Sequence, residues 1–236
     1  QLNVVINTSL AKALDDIADK LEDMKHRQDV REKAMDIIAN LYKKHQKILF
    51  SGNGYSLEWI EEAKKRGLLN IRTFVEAINY FNCPSSIDLF SKYDVYTEKE
   101  IKARMEVKYE SYINVRTIEI KTLTAMIYQN VIPSAIKELN FITTCPSNFM
   151  SKTMFTKASK LSKFIDDCSD EAGIVEDKIK ELSSIHTNKE KGLFILNTII
   201  PLTDKLRECA DKMEHYISKD NQPFPTYEEL FFKIDY

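Results

Sequence analysis

The sequence predicts an all-α protein: a long central helix, shorter helices around it, a long antiparallel helical hairpin, and little or no sheet. Three observations carry this. From Thr97 to Leu139, apolar or aromatic residues recur at Ile101, Met105, Tyr109, Tyr112, Ile113, Ile120, Leu123, Ile127, Val131 and Ala135, the spacing of one helix face. Met154, Ala158, Leu161, Ile165, Cys168, Ala172, Val175, Ile179 and Leu182 step by four and three without a miss, a coiled-coil seam. No set of period-two runs accompanies them. With 5 glycines and 6 prolines, little of the chain is linker.

In order, Val4, Val5, Leu10, Ala13, Leu14, Ile17, Ala18 and Leu21 give the first helix one apolar face. The polar stretch His26 to Asp29 breaks it, and a second helix ends near His45. Ile48-Leu49-Phe50 is a short apolar run of the kind that forms a strand, closed by Ser51-Gly52-Asn53-Gly54, which is turn chemistry. Ser56 is the expected N-cap of a helix to Arg66, with Gly67 just past its end. Thr73 to Glu76 is a capping box for a short helix to Tyr80. Cys83-Pro84 stops that helix, and Ser85 to Asp88 starts another, ending near Tyr93. Thr97 to Glu100 is the capping box of the central helix, in which Pro133 predicts a kink. Thr187 to Glu190 is a further box. It opens a helix with a third seam, Ile195, Ile199, Leu202, Leu206, Cys209, Met213 and Tyr216, bent at Pro201. Two seams joined by a tight turn form the hairpin. The expected organisation is a helical body, residues 1–146, and the hairpin, residues 147–220. The aromatic tail, 221–236, is too apolar at Leu230, Phe231, Phe232 and Ile234 to lie free in water and is expected to dock on the body.

Composition excludes several function classes. A net charge of −2 gives no basic field for nucleic acid. No apolar run approaches the ~20 residues of a membrane span. The four cysteines, Cys83, Cys145, Cys168 and Cys209, are scattered without a CxxC. They predict reduced thiols, a cytoplasmic setting and no structural zinc. The first residue is not Met and no signal-like segment follows it, so the chain is expected to be cut from something longer.

No catalytic, cofactor-binding or metal-binding residue is predicted. Ser51 to Ser56 lacks the spacing and the lysine of a phosphate loop and reads as a turn into a helix. His26, His45, His186 and His215 lie far apart, without ligand spacing to carboxylate or thiol. Cys168 and Cys209 fall on apolar seams, where they can face each other as small hydrophobes. Arg116 and Glu119 sit on or beside the apolar face of the central helix. An internal ion pair, a subunit contact and a ligand site are open to them.

Phe50 to Ile71, FSGNGYSLEWIEEAKKRGLLNI, resembles a stretch of type III glutamine synthetases: Asn-Gly-x-Gly-Tyr-Ser, Glu-Trp, then Glu-Ala and Arg-Gly-Leu-x-Asn. Further matches follow in order. Thr73 to Ile78 resembles a Thr-x-x-Glu-Ala element. Ile87 to Tyr93 resembles Ile-Glu-Leu-Phe-x-Lys-Tyr. Glu98 to Glu119 resembles a Glu-x-x-x-x-Arg-x-Glu helix running into Asn-Ile-Glu. Val131 to Ile136, Ile200 to Met213 and the closing Pro223 to Phe232 are similar as well, as is Val5 to Leu14 to the helix after the family's active-site segment.

The resemblance implies the C-terminal part of such an enzyme. In the family the metal-binding glutamates, the nucleotide site and the phosphate-contacting arginines lie upstream of the helix that starts this chain. ATP and Mg or Mn are thus implied for a parent glutamate–ammonia ligase of nitrogen assimilation, and none for this chain, which is expected to be inactive alone. The implied partners are the parent's catalytic domain and neighbouring subunits of a homo-oligomeric ring, with Val4, Val5, Leu10, Leu14 and Ile17 as the contact stripe. From a different class, a stand-alone helical interaction module derived from that family also fits.

Overall fold

The computed structural model describes residues 2–22 and 27–232, so His26 lies outside the described residues, as do residues 233–236 of the tail. Among the described residues there is no strand, and helix dominates. By compactness the chain divides into residues 1–105 and 106–236. The expected division at 146/147 rests instead on a change in sequence character.

In the first unit, α1 (Leu2–Leu21) packs on α2 (Arg27–Lys44). A 3-10 turn follows at Gln46–Ile48, then α3 (Leu57–Lys65), α4 (Phe74–Phe81), α5 (Pro84–Lys92) and the first turns of α6 (Glu98–Met126). Ser56 caps α3 by accepting from the Trp59 amide, and Gly67 follows its end at φ +71, a conformation that disfavours a Cβ. The full Thr73–Glu76 and Thr97–Glu100 capping boxes form.

The apolar run Ile48 to Phe50 is not a strand. A side chain takes one of its carbonyls and the one just before it: Arg66 Nη1 donates to Leu49 O at 2.6 Å and to Lys47 O at 3.2 Å. The Phe50 ring stacks on Trp59 at 4.6 Å and lies over Gly52, where a Cβ would come within 2.6 Å of it.

Pro84 both ends α4 and begins α5, with Cys83 at the N-cap. A proline at the first helical position loses nothing, because that N–H has no intrahelical partner. The core of this unit is small: Ile37, Ala63, Val75, Ile78, Phe90 and Ile101 are its buried apolar residues among those described. Phe90 meets the Phe81 and Tyr96 rings at 5.5 and 5.3 Å. Asp15 ties α1 to α5, accepting from Lys92 Nζ at 2.7 Å and Tyr93 OH at 2.8 Å.

The second unit contains the rest of α6, then α7 (Ile132–Thr143), α8 (Lys152–Leu182), α9 (Asn188–Phe194), α10 (Ile200–Glu214) and α11 (Tyr227–Phe232). The hairpin pairs α8 with α10, and α7 also lies against α8. One core cluster joins them, from Ile113, Ile120 and Ile127 through Leu161, Cys168 and Val175 to Ile199, Leu206 and Met213. The three apolar rows read from the sequence supply most of it.

The disruptions expected at Pro133 and Pro201 take the form of π turns at Ile127–Val131 and Ile195–Ile199. The Ile132 amide donates to Ile127 O and the Ile200 amide to Ile195 O, each five residues back. A proline ring collides with the carbonyl one α-turn behind it, and the wider turn accommodates the ring without ending the helix.

Thr226 and Glu229 form a capping box for α11. Of the tail, Phe224 packs on the core, while Leu230, Phe231 and Phe232 are exposed.

Candidate functional site

In the second unit a buried carboxylate gathers four hydrogen bonds. From the end of the first π turn along α7 the buried row runs Val131, Ala135, Glu138, Ile142, so a glutamate occupies a core position. Glu138 is 3% exposed. It accepts from Lys157 Nζ at 2.6 Å on α8, from Ser218 N at 3.2 Å and Oγ at 2.6 Å after α10, and from Asn221 Nδ2 at 2.9 Å in the 3-10 turn Lys219–Asn221. Burial pushes its pKa up, but the bonds from Lys157, Ser218 and Asn221 outweigh burial and hold it at about 2. A carboxylate so satisfied is locked as the anion. It fastens three segments together and is poorly suited to proton transfer.

Beside it lies a polar groove lined by Gln129, Asn130, Ser134, Lys137, Asn221 and Gln222. Gln129 and Asn130 stand on the first π turn. Gln222 is held in place, its Nε2 donating to Glu214 O and Ile217 O at 3.0 and 3.1 Å. A second groove runs along Phe164, Asp211, Lys212, His215 and Tyr216.

Arg116 and Glu119 come together as an exposed ion pair at 2.7 Å, with the guanidinium 5.6 Å from the Tyr112 ring centroid. The two charges do pair with each other, but at the surface and not in the interior. Cys168 and Cys209 do face each other across α8 and α10. Burial and the Cys209 thiol beside it push Cys168 up to about 12, and burial raises Cys209 as well, so both are poor nucleophiles. Cys83 differs: the hydroxyls of Ser85 and Ser86, at 3.1 and 3.3 Å from its sulfur, lower its pKa. The described histidines, His45, His186 and His215, are exposed beside helix ends. In the Ser51 to Ser56 loop the Asn53 side chain accepts from the Tyr55 amide at 3.0 Å, an Asx turn. Among the described residues no three His, Cys, Asp or Glu side chains are placed to hold a metal ion, and no helix is long and apolar enough to cross a membrane.

Glu138 is the residue that motif reading misses. Its signal is a charge standing at a core position of an apolar row. Its donors lie 19, 80 and 83 residues away, where no local motif reaches.

Comparison with known proteins finds similarity to one family. Residues 33–147 match the family model described as the glutamine synthetase C-terminal domain. The chain is 28% identical over 213 residues to a glutamine synthetase of Butyrivibrio fibrisolvens, covering 87% of this chain and 30% of that protein. It is 26% identical over 243 residues to a type-3 glutamine synthetase of Dictyostelium discoideum, covering 97% and 33%. With a glutamine synthetase of Bacteroides fragilis it shares 24% over 246 residues, again covering 97% and 33%. The chain thus spans about a third of the length of these relatives.

Proposed function

We propose, from the premise that this chain belongs to the glutamine synthetase family through the C-terminal domain it carries, that it is the helical module of a type III enzyme, with a structural and assembly role and no catalysis of its own. The observation that carries this is the outer face of α1. Leu2, Ile6, Leu10 and Leu14 recur every fourth residue and are exposed, while Val4, Val5 and Ile17 on the same helix are partly covered. The contact stripe is therefore shifted from the one expected, keeping Leu10 and Leu14 and exchanging Val4, Val5 and Ile17 for Leu2 and Ile6. A helix with apolar residues on two faces has one more face to bury than its own unit covers.

The partner for that face is the catalytic region of the same enzyme, and neighbouring subunits of a ring are the further partners. The parent is a cytoplasmic ligase joining glutamate and ammonia at the expense of ATP with Mg or Mn. The residues described here do not fit those groups: no set of carboxylates converges for the metal, and the polar groove offers side-chain amides and Lys137 where a γ-phosphate calls for several charge-stabilising groups. No step is assigned to them in this chain.

The test mixes the purified chain with a separately made catalytic region of a type III glutamine synthetase. The expected result is no γ-glutamyl hydroxamate from the chain alone with ATP and Mg²⁺. Co-sedimentation with the catalytic region should weaken at least about tenfold in Leu10→Asp, the ~1.4 kcal/mol step, with helicity retained. Hydroxamate formation by the chain alone, or binding indifferent to Leu10→Asp and Leu14→Asp, overturns the proposal.

A further inference from the structure

The polar groove beside Glu138 takes no part in the assembly reading, and its lining leaves an unusual set of groups unbonded. Ser134 lines it at 9% exposure. A helical Ser or Thr hydroxyl commonly donates to a carbonyl in the preceding turn, as those of Thr124, Thr143 and Thr144 do along the same run of helix. Among the described residues the Ser134 hydroxyl has no partner. A buried polar group is nearly always bonded, so its bond comes from what enters the groove.

The other lining groups divide by what they can donate. Both N–H bonds of the Asn221 amide are engaged, by Glu138 Oε2 at 2.9 Å and Ser218 Oγ at 3.2 Å. Those of Gln222 go to Glu214 O and Ile217 O. Their Oδ1 and Oε1 atoms are left as acceptors, and Asp220 adds a carboxylate, so residues 220–222 offer the groove side-chain acceptors only. Lys137 on α7 is a donor only, while Ser134 and the Gln129 and Asn130 amides of the π turn can do either. Among the described residues Lys137 and Asp220 make no ion pair, with each other or with any other group.

We propose that this groove binds a free α-amino acid with a polar, uncharged side chain. The ligand's ammonium meets Asp220 and the acceptors of Asn221 and Gln222, and its carboxylate meets Lys137. Its side chain bonds to the Ser134 hydroxyl and the two π-turn amides. The two unpaired charges of the groove are matched by the two charges common to every α-amino acid, which leaves none for a charged side chain. A third charge there would lose water without gaining a counter-ion. The groove measures about 240 Å³, below the ~300–1,000 Å³ of sites for larger ligands, which suits a molecule of this size. Asn221 and Gln222 are fixed by their own bonds before a ligand arrives, so their acceptors are preorganised. The proposal is independent of the assembly reading.

The test is calorimetric titration of the full chain with L-glutamine and L-asparagine, with L-glutamate, L-lysine, sodium acetate and ammonium chloride as comparison probes. The expected result is saturable binding of at least one of the two amides, tighter than that of either charged amino acid, and no saturable binding of acetate or ammonium. Lys137→Gln and Asp220→Asn, both at exposed positions, should each weaken it about fivefold, the upper range for an exposed ion pair. Ser134→Ala should weaken binding as well without lowering the thermal midpoint, because the hydroxyl it removes bonds nothing among the described residues. Backbone amide chemical shifts of residues 129–137 and 220–222 should move on titration of the parent chain, which locates the ligand even if a variant unfolds. No saturable binding of either amide overturns the proposal. So does binding unchanged in the variants, shifts confined to other residues, or L-glutamate or L-lysine bound as tightly.

Discussion

The two units use the same residue types to different ends. In residues 106–236 nearly every apolar row finds a facing row, and the buried set runs from Tyr109 to Ile217 with many members at or near zero exposure. In residues 1–105 the buried apolar set among the described residues is six side chains, while Leu2, Ile6, Leu10 and Leu14 on α1 and Met35, Ile38 and Tyr42 on α2 remain exposed. Amphipathic periodicity is equally clear in both. The lesson is that a row of apolar residues specifies that something must cover it, and that the chain itself does so only where it also supplies a facing row: α1 and α2, of 20 and 18 residues, are longer than α10 and still leave theirs exposed. Helices of 31 and 15 residues lying along each other bury a continuous seam. Helices of 9, 8 and 9 residues bury little more than a ring cluster.

The largest expected effect breaks the weaker side of this comparison. Phe90→Ala removes the centre of the Phe81, Phe90 and Tyr96 cluster and should cost about 4 kcal/mol. Hydrogen exchange should then rise through α4 and α5 while α8 and α10 keep their protection. Loss of protection in α8 and α10 as well would mean that the two sets of helices fold as one. The same map separates the two divisions of the chain. The shared core predicts that α7, α8 and α10 open together. Exchange of residues 147–220 with α7 still protected would favour a hairpin that opens alone.

Next in size is Glu138. Removing it with Glu138→Ala strands Lys157 and frees the 218–221 turn, at a cost of about 3 kcal/mol. The pH dependence sharpens this. The folded pKa of about 2 lies below the ordinary 4.5, so the stabilisation is complete above pH ~4.5 and is lost as pH falls toward ~2. Denaturant titrations of the parent chain and Glu138→Gln should show a gap at pH 6 that narrows at pH 3. A gap independent of pH would mean that the carboxylate charge is not what fastens the turn.

The smallest effect is Gly67→Ala, which forces a Cβ into a left-handed position at φ +71 and should cost about 1 kcal/mol. The loss should be confined to α3 and measurable as a small fall in the first unit's unfolding midpoint.

How much of this was legible in the sequence follows from distance along the chain. The Thr73 and Thr97 boxes and the Ser56 cap act within three residues and stand where their motifs place them, as does the Thr187 cap. The same motif at Thr226 to Glu229 caps α11, although the residues beyond it read only as an aromatic tail. Pro133 and Pro201 announce a disturbance, but whether a helix breaks, kinks or widens depends on what packs beside it. Ile127, Val131, Ile195 and Ile199 are held in the core on both sides of each turn, which keeps the helices continuous. The ridge Leu2, Ile6, Leu10 and Leu14 shows a different limit: when one helix has apolar residues on two faces, periodicity does not say which one is inside. The Glu138 node lay beyond reach for the reason already visible in its partners, which come from α8 and the 218–221 turn, far along the chain from α7.

A π turn is an α-helical turn with one residue added, and an added residue works as a phase shifter. Each residue advances a helix by about 100°, so the turn at Ile127–Val131 sets the angular position of everything that follows it. The buried row of α6 would otherwise arrive at α7 rotated by that amount. Shortening this segment by one residue would leave every side chain of α7 in place in the sequence and turn Glu138 about a quarter revolution away from Lys157, Ser218 and Asn221. The alignment of the node is thus set upstream of it, in the one residue added to the turn at Ile127–Val131 that makes room for Pro133.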